Sequence, residues 1–317
     1  MTKATKIGAI ACILWGFTPL LCHANQLIIT DNDPVSISPP PDNEFSDNVF
    51  VDTTNNGSGI DITASTIVNS KVVQISSDYD ITANNNEGSG IYLSAKKVEF
   101  IANQSGLTIT TNNNKLSGIY TYGKTTANLT FIDFDVVANE NQTTNGNRGG
   151  ITADDYSRIK FSSTTGDNTI EASKNNSGFT ATAAGGITFE NVNVVANTNN
   201  RYGIYKNTLG QSHSIITIIG KSGAENNTVT TLNNASIGIY NSEQNMIISY
   251  VDVRSGNDST VDALATKTLN GIVVISDGKI TFTGKTDYVN FVESNNNRQY
   301  GIQASQGSAA AAHYCPK

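Results

Sequence analysis

The chain has 317 residues, a formal charge of −7 and only 15% charged residues. Asparagine, threonine, serine and glycine supply its polarity, while isoleucine and valine supply most of its apolar content. These residue types favour turns and strands, and good helix formers are scarce. The acidic pI near 4.9, with no basic cluster, argues against nucleic acid and anionic lipid as partners.

The first 24 residues have the pattern of an export signal. Lys3 and Lys6 provide a positive start, residues 7–21 form an apolar run, and small residues precede a predicted cut between Ala24 and Asn25. A buried or membrane-spanning helix is the alternative interpretation, but the run is short for a span. No later apolar segment is long enough to cross a bilayer, so the sequence predicts no membrane span once the signal is removed.

Prolines separate the ends of the chain from its body. Residues 25–48 contain four of the six prolines and are predicted to form an extended leader. No proline lies between Asp42 and Cys315, which suits continuously paired strands, and residues 49–305 are assigned to one repetitive body. Residues 306–317 are predicted to be an irregular tail. It is either an ordinary chain end or the product of a truncation or frameshift.

A glycine followed by an apolar residue recurs along the body at spacings of 25 to 35 residues, usually after an asparagine-rich turn. The fifth copy is ambiguous, because Gly178 and the pair Gly185-Gly186 both qualify. The glycines are Gly59, Gly90, Gly118, Gly150, Gly178, Gly203, Gly238, Gly271 and Gly301. A fixed period of this length is typical of stacked repeat architectures.

Each period contains three short strand patterns; in one of them they lie at residues 90–94, 97–103 and 107–114. Three strands without a helix predict an all-β protein, a right-handed parallel β-helix of about nine coils of roughly 30 residues. Stacked coils bury an apolar face that no single coil can bury alone. A sandwich or barrel of hairpins is the alternative, but it predicts short strand–turn–strand units without a thirty-residue period.

The repeat also assigns inward and outward positions. The glycine is predicted to mark a corner, and the isoleucine after it to stack inside the core, as a ladder formed by Ile60, Ile91, Ile119, Ile151, Ile204, Ile239, Ile272 and Ile302. The next position is predicted to face outward, and it is tyrosine at Tyr92, Tyr120, Tyr205 and Tyr240. Such a row can bind a partner, or it can simply pack between neighbouring strands. Three segments ending in Ala-Asn, at 100–103, 136–139 and 194–197, are taken as further evidence for the register.

The export signal, the Asn/Thr/Gly-rich β-helix and the near absence of cysteine resemble the passenger region of a bacterial autotransporter, a type V secretion protein of the pertactin-like adhesin kind. The resemblance covers roughly residues 25–305. Gly-Gly-Ile at 149–151 and 185–187, with Phe-x-x-Asn at 100–103, is also similar to the short repeats of chlamydial polymorphic membrane proteins, which are autotransporters too. That second match is partial.

The resemblance implies a non-catalytic virulence factor that acts in adhesion, aggregation or biofilm contact at the cell surface. Its implied partner is a host or bacterial surface protein or glycan. Autotransporters end in an outer-membrane barrel, and no block of alternating strands of that size follows the passenger pattern here. We therefore expect this polypeptide, expressed alone, to stay in the periplasm, whereas an intact relative would display the same rod outside. An inactive fragment of an interrupted autotransporter gene is a further alternative.

A carbohydrate-active enzyme is the remaining alternative, because β-helices also include pectin lyases and polygalacturonases. Asp154 and Asp155, followed by Arg158 and Lys160, superficially resemble the acidic pair and the Arg-x-Lys of polygalacturonases. In that family a Gly-His-Gly segment joins the two, and the sequence has none. The competing interpretation is a solvated corner loop.

The two histidines that follow the signal, His213 and His313, are not near cysteines or paired carboxylates at metal-ligand spacing. The sequence therefore predicts no catalytic residue, no cofactor and no metal. Once the signal is cleaved, Cys315 is the only thiol, so no disulfide framework is expected.

Overall fold

A computed structural model describes residues 58–60, 77, 80–94, 97–123, 127–142, 148–207, 214–221, 227–258, 268–284 and 291–304. It also gives the backbone of several strands outside those ranges. The predicted irregular tail, the signal and its cleavage site, and both histidines have no described side chains. The strands form a parallel β-solenoid in which each coil contributes one strand to each of three faces, as the sequence predicts.

The first face consists of β4 (Ile60–Ile62), β7 (Ile91–Leu93), β10 (Ile119–Tyr122), β13 (Ile151–Asp154), β16 (Ser177–Ala181), β19 (Tyr202–Lys206) and β26 (Tyr300–Ala304). The second face consists of β2 (Glu44–Ser46), β5 (Val72–Ser77), β8 (Lys97–Ala102), β11 (Asn128–Ile132), β14 (Arg158–Ser162), β17 (Gly186–Glu190), β20 (Ile215–Ile219) and β27 (Ala309–His313). Two long strands, β22 (Ile237–Ser249) and β24 (Asn270–Thr283), belong to both faces.

The third face consists of β1 (Gln26–Ile29), β3 (Asn48–Asp52), β6 (Ile81–Asn84), β9 (Thr108–Thr110), β12 (Asp135–Val137), β15 (Thr169–Glu171), β18 (Asn193–Val195), β21 (Asn227–Leu232), β23 (Val251–Gly256) and β25 (Val292–Asn295). About six turns are complete. Within the described ranges, coils with strands on all three faces run from β7 to β25, and strand pairing continues the stack on both sides. The count of complete turns in this described part is below the nine expected.

Strands occur in both end segments of the chain. The proline-rich segment predicted as a leader contains β1 and β2, which pair in parallel with β3 and β5. The segment predicted as an irregular tail contains β27, whose four alanines pair with β24 from Lys279 to Phe282. Backbone hydrogen bonds to an existing strand edge need no particular side chain, so an alanine run can extend the ladder.

The ladder residues occupy one register position on successive rungs of the first face. Ile91 pairs with Ile60 on one side and Ile119 on the other. The fifth rung carries Phe179, which fixes Gly178 as the fifth repeat glycine and places Gly185-Gly186 on the second face. Ile302 continues the register opposite Ile272 but is 49% exposed, so its predicted place inside the core is wrong. Its strand β26 pairs only with β24 among the described strands, which leaves one side uncovered.

The second and third faces provide the other walls of the core. On the second face four phenylalanine rings stack from rung to rung with centroids 5.2 to 5.4 Å apart: Phe100, Phe131, Phe161 and Phe189. On the third face buried aliphatic residues share one register, among them Ile81, Ile109, Val136, Ile170, Val194 and Val229. Each strand of a solenoid has only one side toward the core, so alternate residues along the strand are buried.

The strand register corrects the prediction that the three segments ending in Ala-Asn occupy equivalent positions. Segments 136–139 and 194–197 are equivalent, since both lie on the third face. Segment 100–103 begins in a second-face strand, and the third-face equivalent in that part of the chain is Ile81–Asn84. The two Gly-Gly-Ile copies also differ, since Ile151 is on the first face and Ile187 on the second. A short segment that recurs in this chain therefore does not always mark an equivalent position.

The repeat glycines are needed for close approach between rungs. A Cβ on Gly90 would lie 2.7 Å from the carbonyl oxygen of Gly118, and one on Gly178 would lie 2.5 Å from that of Gly203. None of the repeat glycines has a positive φ. The left-handed corner residues between the third and first faces come a few positions earlier, with φ from 55° to 59°: Asn85, Asn113, Glu140, Lys174, Thr198, Asn233 and Asn296.

Next to these left-handed residues runs a ladder of buried asparagines, hereafter the asparagine ladder: Asn86, Asn114, Asn141, Asn175, Asn199 and Asn234. The backbone N–H of Asn86 and its side-chain Nδ2 both donate to Asn114 Oδ1, at 3.0 and 2.7 Å. The backbone donation repeats on every rung up to Asn234. From Asn114 onward, each carboxamide thus satisfies a buried corner N–H of the preceding coil, a group that is costly to leave unpaired.

Candidate functional site

The predicted tyrosine row divides into two clusters. In the first, Tyr92 and Tyr120 lie on adjacent rungs with ring centroids 5.7 Å apart. The guanidinium of Arg148 lies 4.3 Å from the centre of the Tyr120 ring, and its Nη2 donates to the Tyr120 hydroxyl at 3.0 Å. Tyr122 adds a third ring, with its centroid 6.3 Å from that of Tyr120. We call this set the first tyrosine cluster.

The second tyrosine cluster contains Tyr202, Tyr205 and Tyr240. The Tyr202 and Tyr205 rings stack with centroids 4.6 Å apart, and Tyr240 lies 5.4 and 5.2 Å from them. Arg201, an exposed residue, places its guanidinium 5.0 Å from the centre of the Tyr202 ring. The Tyr205 hydroxyl accepts a hydrogen bond from Asn207 Nδ2 at 2.7 Å.

Two buried threonines separate the clusters, because Thr152 and Thr180 hold the same register position on the intervening rungs. The expectation of one exposed tyrosine row is therefore wrong. Tyr120 is only 6% exposed and Tyr205 only 7% exposed. Each ring is covered by its aromatic neighbours and by an arginine or asparagine. Contact between neighbouring rings therefore covers part of the ring surface in both clusters.

Burial changes the acidity of these phenols. Burial raises the pKa of Tyr120 well above its usual range, an effect that the nearby Arg148 cation partly opposes. Burial, and next the neighbouring Tyr205 phenol, raises the pKa of Tyr240 to about 12. Burial also raises the pKa of Tyr205. All three phenols are therefore neutral hydrogen-bonding groups at physiological pH.

These shifts predict a loss of stability at alkaline pH. A phenol whose folded pKa exceeds its unfolded value of about 10 contributes stability in full below pH 10. That contribution is lost as the pH rises toward the folded value, since the unfolded chain releases its proton first. We expect the urea midpoint to fall between about pH 10 and pH 12, and to fall less steeply in Tyr240→Phe. An identical pH slope in the variant would contradict the assignment.

The Asp154 corner, the candidate for sugar hydrolysis, is occupied by structural contacts. Asp154 accepts hydrogen bonds from the hydroxyls of Tyr120 at 3.4 Å and Thr182 at 3.0 Å. Arg158 Nη1 donates to the carbonyl oxygens of Ser157 and Ala184.

The other two residues of this candidate site, Lys160 and Asp155, also occupy positions on the outer surface or in a corner of the coil. Lys160 lies 2.7 Å from Glu190 across the next rung, and its side chain is on the outer second face. Asp155 has a left-handed backbone with a φ of 48° and lies in the tight corner between the first and second faces. The side chains proposed for catalysis thus all lie in one coil, where they make corner contacts and contacts with the neighbouring coils. These contacts match the alternative interpretation of a structural corner.

Within the described ranges no group of three or more His, Cys, Asp or Glu side chains is placed to hold a metal ion. No helix in the same ranges is long and apolar enough to cross a membrane.

The two arginines were not among the residues predicted from the sequence. Both Arg148 and Arg201 lie two positions before a repeat glycine, Gly150 and Gly203 respectively. This shared offset places the Arg148 guanidinium over a ring of the first tyrosine cluster and the Arg201 guanidinium over a ring of the second. It is visible in the sequence once the glycine positions are aligned.

Comparison with known proteins provides no relative: no protein-family model, no curated protein and no solved structure matches this chain.

Proposed function

We propose that the chain is a non-catalytic, exported β-helical passenger of the autotransporter kind, and that it binds other surfaces in adhesion or aggregation. The parallel solenoid supports this proposal, because that architecture displays side chains along an extended outer surface. The export-signal pattern of residues 1–24 supports delivery out of the cytoplasm. The structural use of Asp154 and Arg158 supports a function without catalysis.

The observation that carries the proposal is the second tyrosine cluster. It combines three tyrosines and an exposed arginine within one patch of the first face. Tyrosine and arginine are enriched among the residues that dominate binding energy at protein interfaces. Their rigid stacking also lowers the entropy lost on binding, because the rings are already ordered.

The same geometry favours a protein partner over a glycan. A sugar ring stacks on the open face of an aromatic side chain, whereas here the faces of Tyr202 and Tyr205 cover one another at 4.6 Å. The exposed Arg201 guanidinium can donate hydrogen bonds to backbone carbonyls and carboxylates of a protein. The partner is therefore proposed to be a surface protein of a host cell or of another bacterium.

This proposal is tested by attachment. Beads coated with the purified protein are incubated with epithelial monolayers and, separately, with bacterial cells, and retained beads are counted. The double variant Arg201→Ala, Tyr202→Ala should reduce attachment at least about tenfold, which corresponds to about 1.4 kcal/mol. Its melting temperature should stay close to that of the unmodified chain, because neither side chain lies in the core.

Lys174→Ala is the matched control, since it removes an exposed cation that pairs with Glu140 at 3.0 Å and does not belong to the cluster. It should attach as the unmodified chain does. Attachment that survives the double variant would refute the proposed site. A melting temperature that falls in step with attachment would show that the cluster is only structural.

A further inference from the structure

One lysine points into the core of the solenoid. Lys206 is the last residue of β19, two positions after the core residue Ile204, and it is 0% exposed. Its register column at the corner between the first and second faces also contains Thr121, Ala153, Ala181, Asn241 and Val274. All of these side chains are buried. A fully buried lysine is rare, because removing an ammonium group from water is costly.

The next rung places an asparagine directly against it. Lys206 and Asn241 are register partners in parallel strands, and Lys206 Nζ lies 3.0 Å from Asn241 Oδ1. The carbonyl bond of the carboxamide is about 1.2 Å long, so its carbon lies within about 4.2 Å of the amine. Asn241 Nδ2 donates to the carbonyl oxygens of Gln244 at 3.0 Å and Lys279 at 2.8 Å, which holds the carboxamide in one orientation.

We propose that Lys206 and Asn241 become joined by an isopeptide bond that links two adjacent coils. Desolvation favours the neutral amine, which is the nucleophilic form. The amine nitrogen attacks the carboxamide carbon, a new C–N bond forms, and the bond from that carbon to Nδ2 breaks. The proton lost by the attacking nitrogen passes to the leaving nitrogen, which departs as ammonia. No oxidant or other reagent is consumed.

Position explains why the reaction is selective for this pair. The strands hold both groups within reach, and such fixed proximity can replace a large part of an activation barrier. Ser242 adds to the alignment, because its hydroxyl donates to Asn207 Oδ1 at 2.8 Å and so ties β22 to the end of β19. The bond would close a loop of 35 residues between positions 206 and 241. Unlike a disulfide, it would resist reducing agents.

The test is the intact mass of the purified, denatured chain. The linked chain should weigh about 17 Da less than its sequence, the mass of one ammonia. Trypsin should not cut after Lys206, and fragmentation should identify one branched peptide that contains Lys206 and Asn241. Lys206→Met should restore the full mass, even if that variant folds poorly, because the mass is read on unfolded protein. The control Lys174→Met should keep the deficit.

Asparagine before glycine can also lose ammonia, by forming a succinimide, and Asn270-Gly271 is such a pair. A succinimide is hydrolysed at mild alkaline pH and regains the mass of water, whereas an isopeptide bond is not. A wild-type chain of full sequence mass would overturn the proposal. A deficit that persists in Lys206→Met, or that disappears in mild alkali, would overturn it as well.

Discussion

Replacing Ile119 with aspartate is expected to unfold the coils around it. Ile119 is fully buried and pairs with Ile91 below and Ile151 above, so a carboxylate there would have only apolar neighbours within the ladder. Burying an ionisable group without a partner is among the most destabilising single changes, and we expect a loss of about 5 kcal/mol or more. Urea unfolding followed by circular dichroism measures this change in the free energy of unfolding. A variant that is insoluble or unfolded would agree with the same reasoning.

Ile302→Asp is the matched control for this change. It introduces the same side chain at the same register position, but Ile302 is 49% exposed and pairs with Ile272 on one side only. The aspartate can therefore remain in water, and we expect a loss of less than about 1 kcal/mol. Equal losses at both positions would show that the ladder does not determine stability in the way that the register implies.

Removing one carboxamide from the asparagine ladder is expected to have the second-largest effect. Asn141 Oδ1 accepts hydrogen bonds from the backbone N–H and the side-chain Nδ2 of Asn114, both at 3.0 Å. Asn141→Ala would leave the buried N–H of Asn114 without its acceptor, and it would remove the 3.1 Å bond from Asn141 Nδ2 to Asn175. We expect the free energy of unfolding to fall by about 2 to 4 kcal/mol.

Asn200→Ala provides the comparison, because Asn200 lies beside the ladder but is exposed. In the same urea titration, the free energy of unfolding of this variant should fall by no more than about 0.5 kcal/mol. If the two variants unfold at the same urea concentration, the ladder asparagine contributes no more to stability than a surface asparagine does.

The parallel solenoid was predictable from the sequence because its period is a property of the chain itself. One glycine and one apolar residue recur every 25 to 35 positions, and strands of alternating polarity lie between them. Stacking such units in register is the arrangement that buries every repeated apolar residue. The positions of β7, β8 and β9 therefore differ by only a few residues from the three strand patterns read between residues 90 and 114.

The reason for the repeat glycines was not predictable, because two physical demands call for the same residue. Corners need either left-handed backbone or close approach, and glycine satisfies both. In the folded chain the two demands fall on different residues: Gly90 approaches the carbonyl of Gly118, while Asn85 and Asn113 supply the left-handed φ. Similarly, a sequence pattern tells which residues alternate but not what covers them. Tyr120 is outward in the pattern and nevertheless buried, because Arg148 lies over its ring.

By itself the sequence determined the period, the strand content and the inward row of isoleucines, since these depend on local spacing and on the need to bury apolar residues. Tertiary structure alone decided which groups from different coils meet. The pairing of Lys206 with Asn241 and the bonds along the asparagine ladder join residues 24 to 35 positions apart. Coil lengths vary, so a fixed offset in sequence cannot identify the partner. The parallel register, maintained by backbone hydrogen bonds between rungs, brings each pair together.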